Sequence, residues 1–329
     1  MKQSTIKRVI RRKLDEWIES IESEIVRDAV RDDAIVSGGC IVSMLSEERV
    51  NDYDVYMRTK ESARLVAGYY VDKFNADNGK LPSAVALPHN PVIREETREN
   101  IRGELEDRIV IYMKSAGVAS EGAGQYAYFE SAPERAADAF VETLRHTDEL
   151  YDMVASDPIR SAEMFVEKIK EDRGKYRPIF FSENAVTLSD RVQIVIRFYG
   201  EPDKILDNYD YDHCRCWYDY RADRIEVPRE ALAAILSKTL VYTGSLYPLA
   251  SVFRMRKFIA RGWRITAGQA LKMMLQVSKL DLEDISVLGE QLIGVDQAYM
   301  HQLINALRAE DPRRADVAYI AKVIDEIFE

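Results

Sequence analysis

Asp52 and Asp54 flank Tyr53 in an Asp-Tyr-Asp triplet, and twelve residues separate them from the pair Gly38-Gly39. On a strand, residues i and i+2 project to the same face, so the two carboxylates stand side by side. Like charges that close repel, and a divalent cation between them relieves the repulsion. Hard oxygen ligands of this kind suit Mg²⁺ (or Mn²⁺) bridging to substrate phosphates. Two such ions can activate an attacking oxygen and stabilise a leaving one. The glycine pair lets the backbone approach a phosphate closely, and the helix that follows offers unpaired N–H groups to the same phosphates. The chemistry these parts describe is phosphoryl or nucleotidyl transfer. The plain alternative is a tight turn and a solvated strand end.

The elements that must position these groups are legible around them. Ala34–Ser37 (AIVS) is a short apolar strand that breaks at Gly38-Gly39, and Cys40–Leu45 resumes as a helix. Asp52–Met57 alternates strictly and reads as a second strand. Upstream, Leu14, Trp17, Ile18, Ile21, Ile25 and Val26 recur at helical spacing and predict one amphipathic helix, ended by Asp32 and Asp33. Glu61–Phe74 is helical. Residues 75–175 read as a helical insertion with charge-rich stretches at Glu95–Ser115 and Pro133–Val154. Strands return at Ala185–Leu188, Val192–Phe198, Cys214–Tyr218 and Arg224–Val227, with a short helix at Pro202–Asp207 between. Everything from Arg229 to Glu329 reads as helix.

The predicted fold class is therefore α+β, a mixed sheet of about five strands followed by an all-helical carboxy-terminal domain. The expected boundaries are residues 1–33 for the N-terminal helix, 34–228 for the catalytic domain and 229–329 for the helical domain. A chain of 329 residues, 47% hydrophobic and 31% charged, supports about two domains of soluble-globular type. No run approaches the length of a membrane span, so no membrane partner is expected. The basic start of the chain lacks the apolar core of a secretory signal. Three cysteines are too few for a disulfide scaffold and point to a reducing, cytoplasmic compartment. A formal charge of −10 excludes a generally cationic nucleic-acid coat but leaves room for a local basic groove.

Gly38-Gly39, the spacer and Asp52-Tyr53-Asp54-Val55 together resemble the signature of the DNA polymerase β-type nucleotidyltransferase superfamily. The stretch Asp210–Asp219 is similar in layout to the R-D-F-T-I-N-A-L-A-Y-D segment of the bacterial tRNA nucleotidyltransferase and poly(A) polymerase class, with Asp210, Tyr211, Tyr218 and Asp219 on matching types. Arg254–Phe258 followed by Gly262–Ile265 resembles the R-A-I-R-F…G-F-x-I helix of that class, one residue shorter in between. The same order of motifs also resembles uncharacterised phage and viral relatives. The likeness spans roughly residues 34–57 and 185–270. It implies a template-independent enzyme that adds NMP from an NTP to an acceptor, most plausibly the 3′ end of tRNA or another RNA. Asp52 and Asp54 would hold Mg²⁺ (or Mn²⁺), Gly38, Gly39 and Ser43 would cradle the triphosphate, and Asp210 would join the nucleotide site. Arg197, Arg254 and Lys257 would neutralise the leaving pyrophosphate, while Arg256, Arg261 and Arg264 would meet RNA.

The departures from the pattern are equally specific. Cys40-Ile41-Val42-Ser43 replaces the usual V-R-D after the glycines, and Gln193 stands where a third carboxylate is expected. A glutamine can hydrogen-bond but adds no charge to a metal site. Leu246–Ser251 occupies the place of the acidic-arginine motif that selects C or A, so CCA-adding specificity does not carry over. A protein or small-molecule acceptor is one alternative, and a catalytically degenerate nucleotide- or RNA-binding relative is another. Trp217, Tyr218 and Tyr220 are aromatic residues that can stack a base or fill a core.

Overall fold

A computed structural model describes residues 1–78, 90–100, 103–112, 175–182, 184–292, 307 and 315–328. The chain divides into two compact units. The first comprises Met1–Glu99, Leu105–Ile205 and Cys216–Glu226, and the second Asn100–Glu104, Leu206–Arg215 and Val227–Glu329.

In the first unit the expected single N-terminal helix is two, α1 (Gln3–Glu19) and α2 (Glu24–Asp33). The break falls where the Ser20 hydroxyl donates to the Trp17 carbonyl and draws the backbone out of register. Ile6, Ile10, Leu14 and Trp17 form a fully buried stripe along α1. Trp17 Nε1 donates to the Tyr70 hydroxyl at 2.7 Å, pinning α1 to α4 (Lys60–Asn78). Trp17→Phe leaves that buried hydroxyl without its donor, and the expected cost is about 1–3 kcal/mol, read as a lower urea midpoint with an unchanged slope.

The sheet of this unit has seven strands: β1 (Ala34–Ser37), β2 (Tyr53–Met57), β5 (Pro178–Phe181), β6 (Ala185–Leu188), β7 (Val192–Val195), β8 (Trp217–Asp219) and β9 (Arg224–Glu226). Their spatial order is β5-β6-β7-β2-β1-β8-β9. The β2–β7 pair is parallel and every other pair antiparallel, so the sheet is mixed. β1 is buried along its whole length, as a central apolar strand must be.

Two expectations are corrected here. The described part of Glu95–Ser115 is not helical: Val92–Glu99 (β3) and Leu105–Tyr112 (β4) pair as an antiparallel ribbon. Ile109 and Ile111 are fully buried on alternate positions, and Arg108 pairs across the ribbon with Glu96. Charges that look like helical i,i+4 pairs serve as cross-strand pairs instead. The strand expected at Cys214–Tyr218 starts only at Trp217, because Asp212–Cys214 is a 3₁₀ turn. The other stretch expected to be helical, Pro133–Val154, lies outside the described residues.

The second unit is mainly helical, with helices Arg229–Ser237, Pro248–Ala260, Ala267–Val277, Ile285–Gln291 and Val317–Phe328. It also contains a strand pair that the helical reading missed, β10 (Thr239–Leu240) parallel to β11 (Arg264–Ile265). One core gathers Ile285, Leu288, Leu292, Leu307 and Val323. Asp284 caps the helix above it by accepting from Ser286 N and Val287 N. Among the described residues no helix is long and apolar enough to cross a membrane.

Candidate functional site

The register of the sheet decides which side chains meet. Ser37, the last residue of β1, lies opposite Asp54 on one side and Trp217 on the other. Asp54 in turn lies beside Gln193 of β7, and Gln193 beside Thr187 of β6. Directly paired residues share a face, so Thr187, Gln193, Asp54, Ser37, Trp217 and Glu226 form one row across the sheet, with Ser37 fully buried within it. The apolar neighbours Val36, Val55, Ile194 and Tyr218 are all fully buried on the opposite face.

The glycine bend follows this row immediately. Gly38 has φ 89° and ψ −146°, close to a region that only glycine occupies without strain. Gly39 opens α3 (Gly39–Leu45), and nothing lies within 4 Å of the position a Cβ on it would take. The bend and the acids are thus on the same end of the same strands. Cys40 reports the same proximity: burial pushes its thiol well up, and the nearby Asp54 and Asp52 carboxylates push it further. That thiol is protonated at neutral pH and is no nucleophile. Gly38→Ala forces a side chain into this backbone geometry, with an expected stability loss of about 1–3 kcal/mol; thermal melts of the purified variant measure it.

Asp52 is exposed just before β2, and Asp54 is half-buried within it. Their donor set, two carboxylates two residues apart, is of the hard-oxygen kind that suits a divalent cation completing its shell from phosphate oxygens and water. Among the described residues no group of three or more His, Cys, Asp or Glu side chains could hold a metal ion. Gln193 contributes an amide beside Asp54 where a third acid would complete such a group.

Other sequence-predicted residues are placed differently. Ser43 is 5% exposed, facing inward from α3. Arg197 is also buried, and its guanidinium pairs with Glu106 of β4 at 2.7 Å. That ion pair ties the β3–β4 ribbon to the chain beyond β7. In the N-terminal basic stretch, Lys7 pairs with Asp223, Arg11 stacks on Tyr220 and Arg12 pairs with Glu16.

Within the second unit, Asp210 and Arg254 bind each other at 2.6 Å, with Asp210 buried and Arg254 half-buried. Around them Tyr211 donates to the Ser251 carbonyl, and His213 lies against Trp263 with its ring centroid 4.2 Å away. Burial pulls His213 down to about 4, so its ring is neutral at pH 7. Arg256, Lys257 and Arg264 are exposed, and Arg261 is half-buried.

A family model described as Gad2, Gabija anti-defense 2 family protein, matches residues 8–238, more than half of the chain. The chain belongs to the Gabija anti-defense 2 family. No curated protein and no solved structure matches it. The Gabija anti-defense 2 match contains Gly38, Gly39, Ser43, Asp52, Asp54, Gln193, Arg197 and Asp210. The basic residues Arg254, Arg256, Lys257, Arg261 and Arg264 lie beyond it.

Sequence reasoning passed over Ser37 and Thr187. Neither carries a motif signal, and both enter the row only through cross-strand register.

Proposed function

We propose that the chain is a metal-dependent nucleotidyltransferase that transfers NMP from an NTP to an acceptor, with an RNA 3′ end as the leading acceptor. The observation that carries this reading is the register of β1 and β2, which sets the glycine bend one residue beyond the partner of Asp54. Asp52 and Asp54 would hold Mg²⁺ or Mn²⁺, which supplies charge neutralisation on the phosphates and a more acidic acceptor hydroxyl. In the transfer itself the acceptor hydroxyl releases its proton to solvent as its oxygen attacks the α-phosphorus, a new P–O bond forms, the bond from the α-phosphorus to the α,β-bridging oxygen breaks, and pyrophosphate leaves with that electron pair. Gly39 leaves room for a phosphate against the backbone, and Gln193 donates a hydrogen bond without adding charge. Arg256, Lys257 and Arg264 offer exposed cations for an RNA backbone.

The family's name assigns it to countering Gabija defence, and on this reading nucleotide transfer is the means. Gln193 supports a second reading, in which the chain binds and withholds a nucleotide without transferring it.

Incubation with each α-labelled NTP and Mg²⁺ or Mn²⁺, against total RNA and protein extract, tests both. Label on RNA that disappears in Asp54→Asn supports the first reading. Nucleotide binding that needs Asp54, without incorporation from any NTP, supports the second. Binding and incorporation that are both indifferent to Asp54 contradict the assigned site.

A further inference from the structure

The row that carries Asp54 includes an indole, that of Trp217, with Glu226 of β9 beyond it at the sheet edge. We propose that Trp217 is the platform on which the base of the bound nucleotide stacks, an inference that rests on the carboxylate site proposed above. Trp217 and Asp54 are the two cross-strand partners of Ser37, so they stand on one face two strand spacings apart, about 10 Å. A nucleoside phosphate spans that distance from its charged end to its base. The residue between them, Ser37, is small and fully buried, with its hydroxyl turned to the Cys216 carbonyl at 2.8 Å, so a nucleotide joining the two would pass over its neighbours rather than touch it.

Alternation along the chain separates Trp217 from the neighbouring aromatics. Tyr218 is fully buried and donates to Asp223 at 2.9 Å. Tyr220 is buried, donates to Asp15 at 2.6 Å and carries the Arg11 guanidinium 4.0 Å above its ring. Trp217 alone of the three keeps part of its surface open. The Arg224 guanidinium, paired with Glu226 at 2.7 Å, stands 5.6 Å from the indole centroid and borders the aromatic surface.

Stacking accepts any base because every base has a π-face. The ligand class is therefore a nucleoside triphosphate of either base type, with purines favoured by their larger ring area. Inorganic tripolyphosphate, which has no base, is indifferent to Trp217.

The experiment titrates ATP, CTP and tripolyphosphate, each with Mn²⁺, into the full chain and its Trp217→Phe, Trp217→Ala and Asp54→Asn variants. The other two tryptophans, Trp17 and Trp263, are buried, so emission lost in Trp217→Phe is that of Trp217. ATP should quench that emission more than CTP. Trp217→Ala should weaken ATP binding about tenfold or more, Trp217→Phe much less, and tripolyphosphate should bind the wild type and both Trp217 variants alike. Wild-type ATP affinity in Trp217→Ala overturns the stacking role, and so does an equal loss of tripolyphosphate, which marks a structural effect. Either result leaves the carboxylate site standing if Asp54→Asn still abolishes binding. Binding indifferent to Asp54 overturns that site and the stacking proposal with it.

Discussion

Asp54→Asn is expected to lose nucleotide transfer by about a thousandfold while folding normally. Asparagine keeps the shape of the side chain and removes its charge. Charge neutralisation by a bound cation is worth several kcal/mol at the transition state, and each 1.4 kcal/mol is a factor of ten in rate. Asp54 is half-buried on β2 beside the exposed Asp52, and removing one of two like charges relaxes the repulsion between them. Asp52→Asn should follow in the same direction with a smaller loss, because its carboxylate lies in high-dielectric surroundings. Initial rates of label incorporation measure the effect, and thermal melts of the same samples separate it from unfolding. A variant that melts early as well as losing activity contradicts this account of Asp54.

The largest stability effect should come from a different pair on the same face. Arg58, just past β2, is joined to Asp219 at the end of β8, with side-chain exposures of 6% and 9%. Ile35 of β1 pairs with Asp219, so the ion pair spans the central strand. Asp219 also accepts from Ala222 N, and Arg58 also reaches Glu201. Arg58→Met strands the Asp219 carboxylate in a buried site, and breaking such a pair costs about 3–5 kcal/mol. The double variant Arg58→Met/Asp219→Asn should recover much of this, because the uncompensated charge is gone. Urea midpoints of the two single variants and the double measure the coupling. Near-additive losses would contradict a shared buried pair. The same pair steadies β2 against β8, and with them the separation of Asp54 from Trp217.

The parts of this site that can be read without coordinates are those written in local pattern. The four apolar residues of β1, the glycine break, the short helix and the alternation of β2 are consecutive, and their limits fall within a residue or two of expectation. Ala185–Leu188 is β6 without adjustment. Contacts between distant segments carry no such trace. Arg197 reads as a phosphate ligand because it falls on the expected strand Val192–Phe198, on the same face as Gln193, yet Glu106 lies 91 positions away and takes its charge. Asp210 and Arg254 read as two nucleotide ligands, and the fold joins them to each other across 44 positions. The β3–β4 ribbon reads as helix for the same reason: its stabilising pairs, Glu96 with Arg108 and Thr97 with Asp107, are lateral. β10 and β11 are two residues each, too short for any periodicity to register.

The central claim is that Asp52 and Asp54, beside the Gly38 bend, grip a cation-loaded triphosphate. Electron paramagnetic resonance of Mn²⁺ tests it most directly, because the hexaaqua ion gives a sharp signal that fades on binding to protein. With ATP present, the wild-type chain should remove close to one Mn²⁺ per molecule from the free signal, and Asp52→Asn/Asp54→Asn should remove none beyond what ATP takes alone. Equal loss of the free signal in the wild type and the double variant would show that the cation and its nucleotide bind elsewhere.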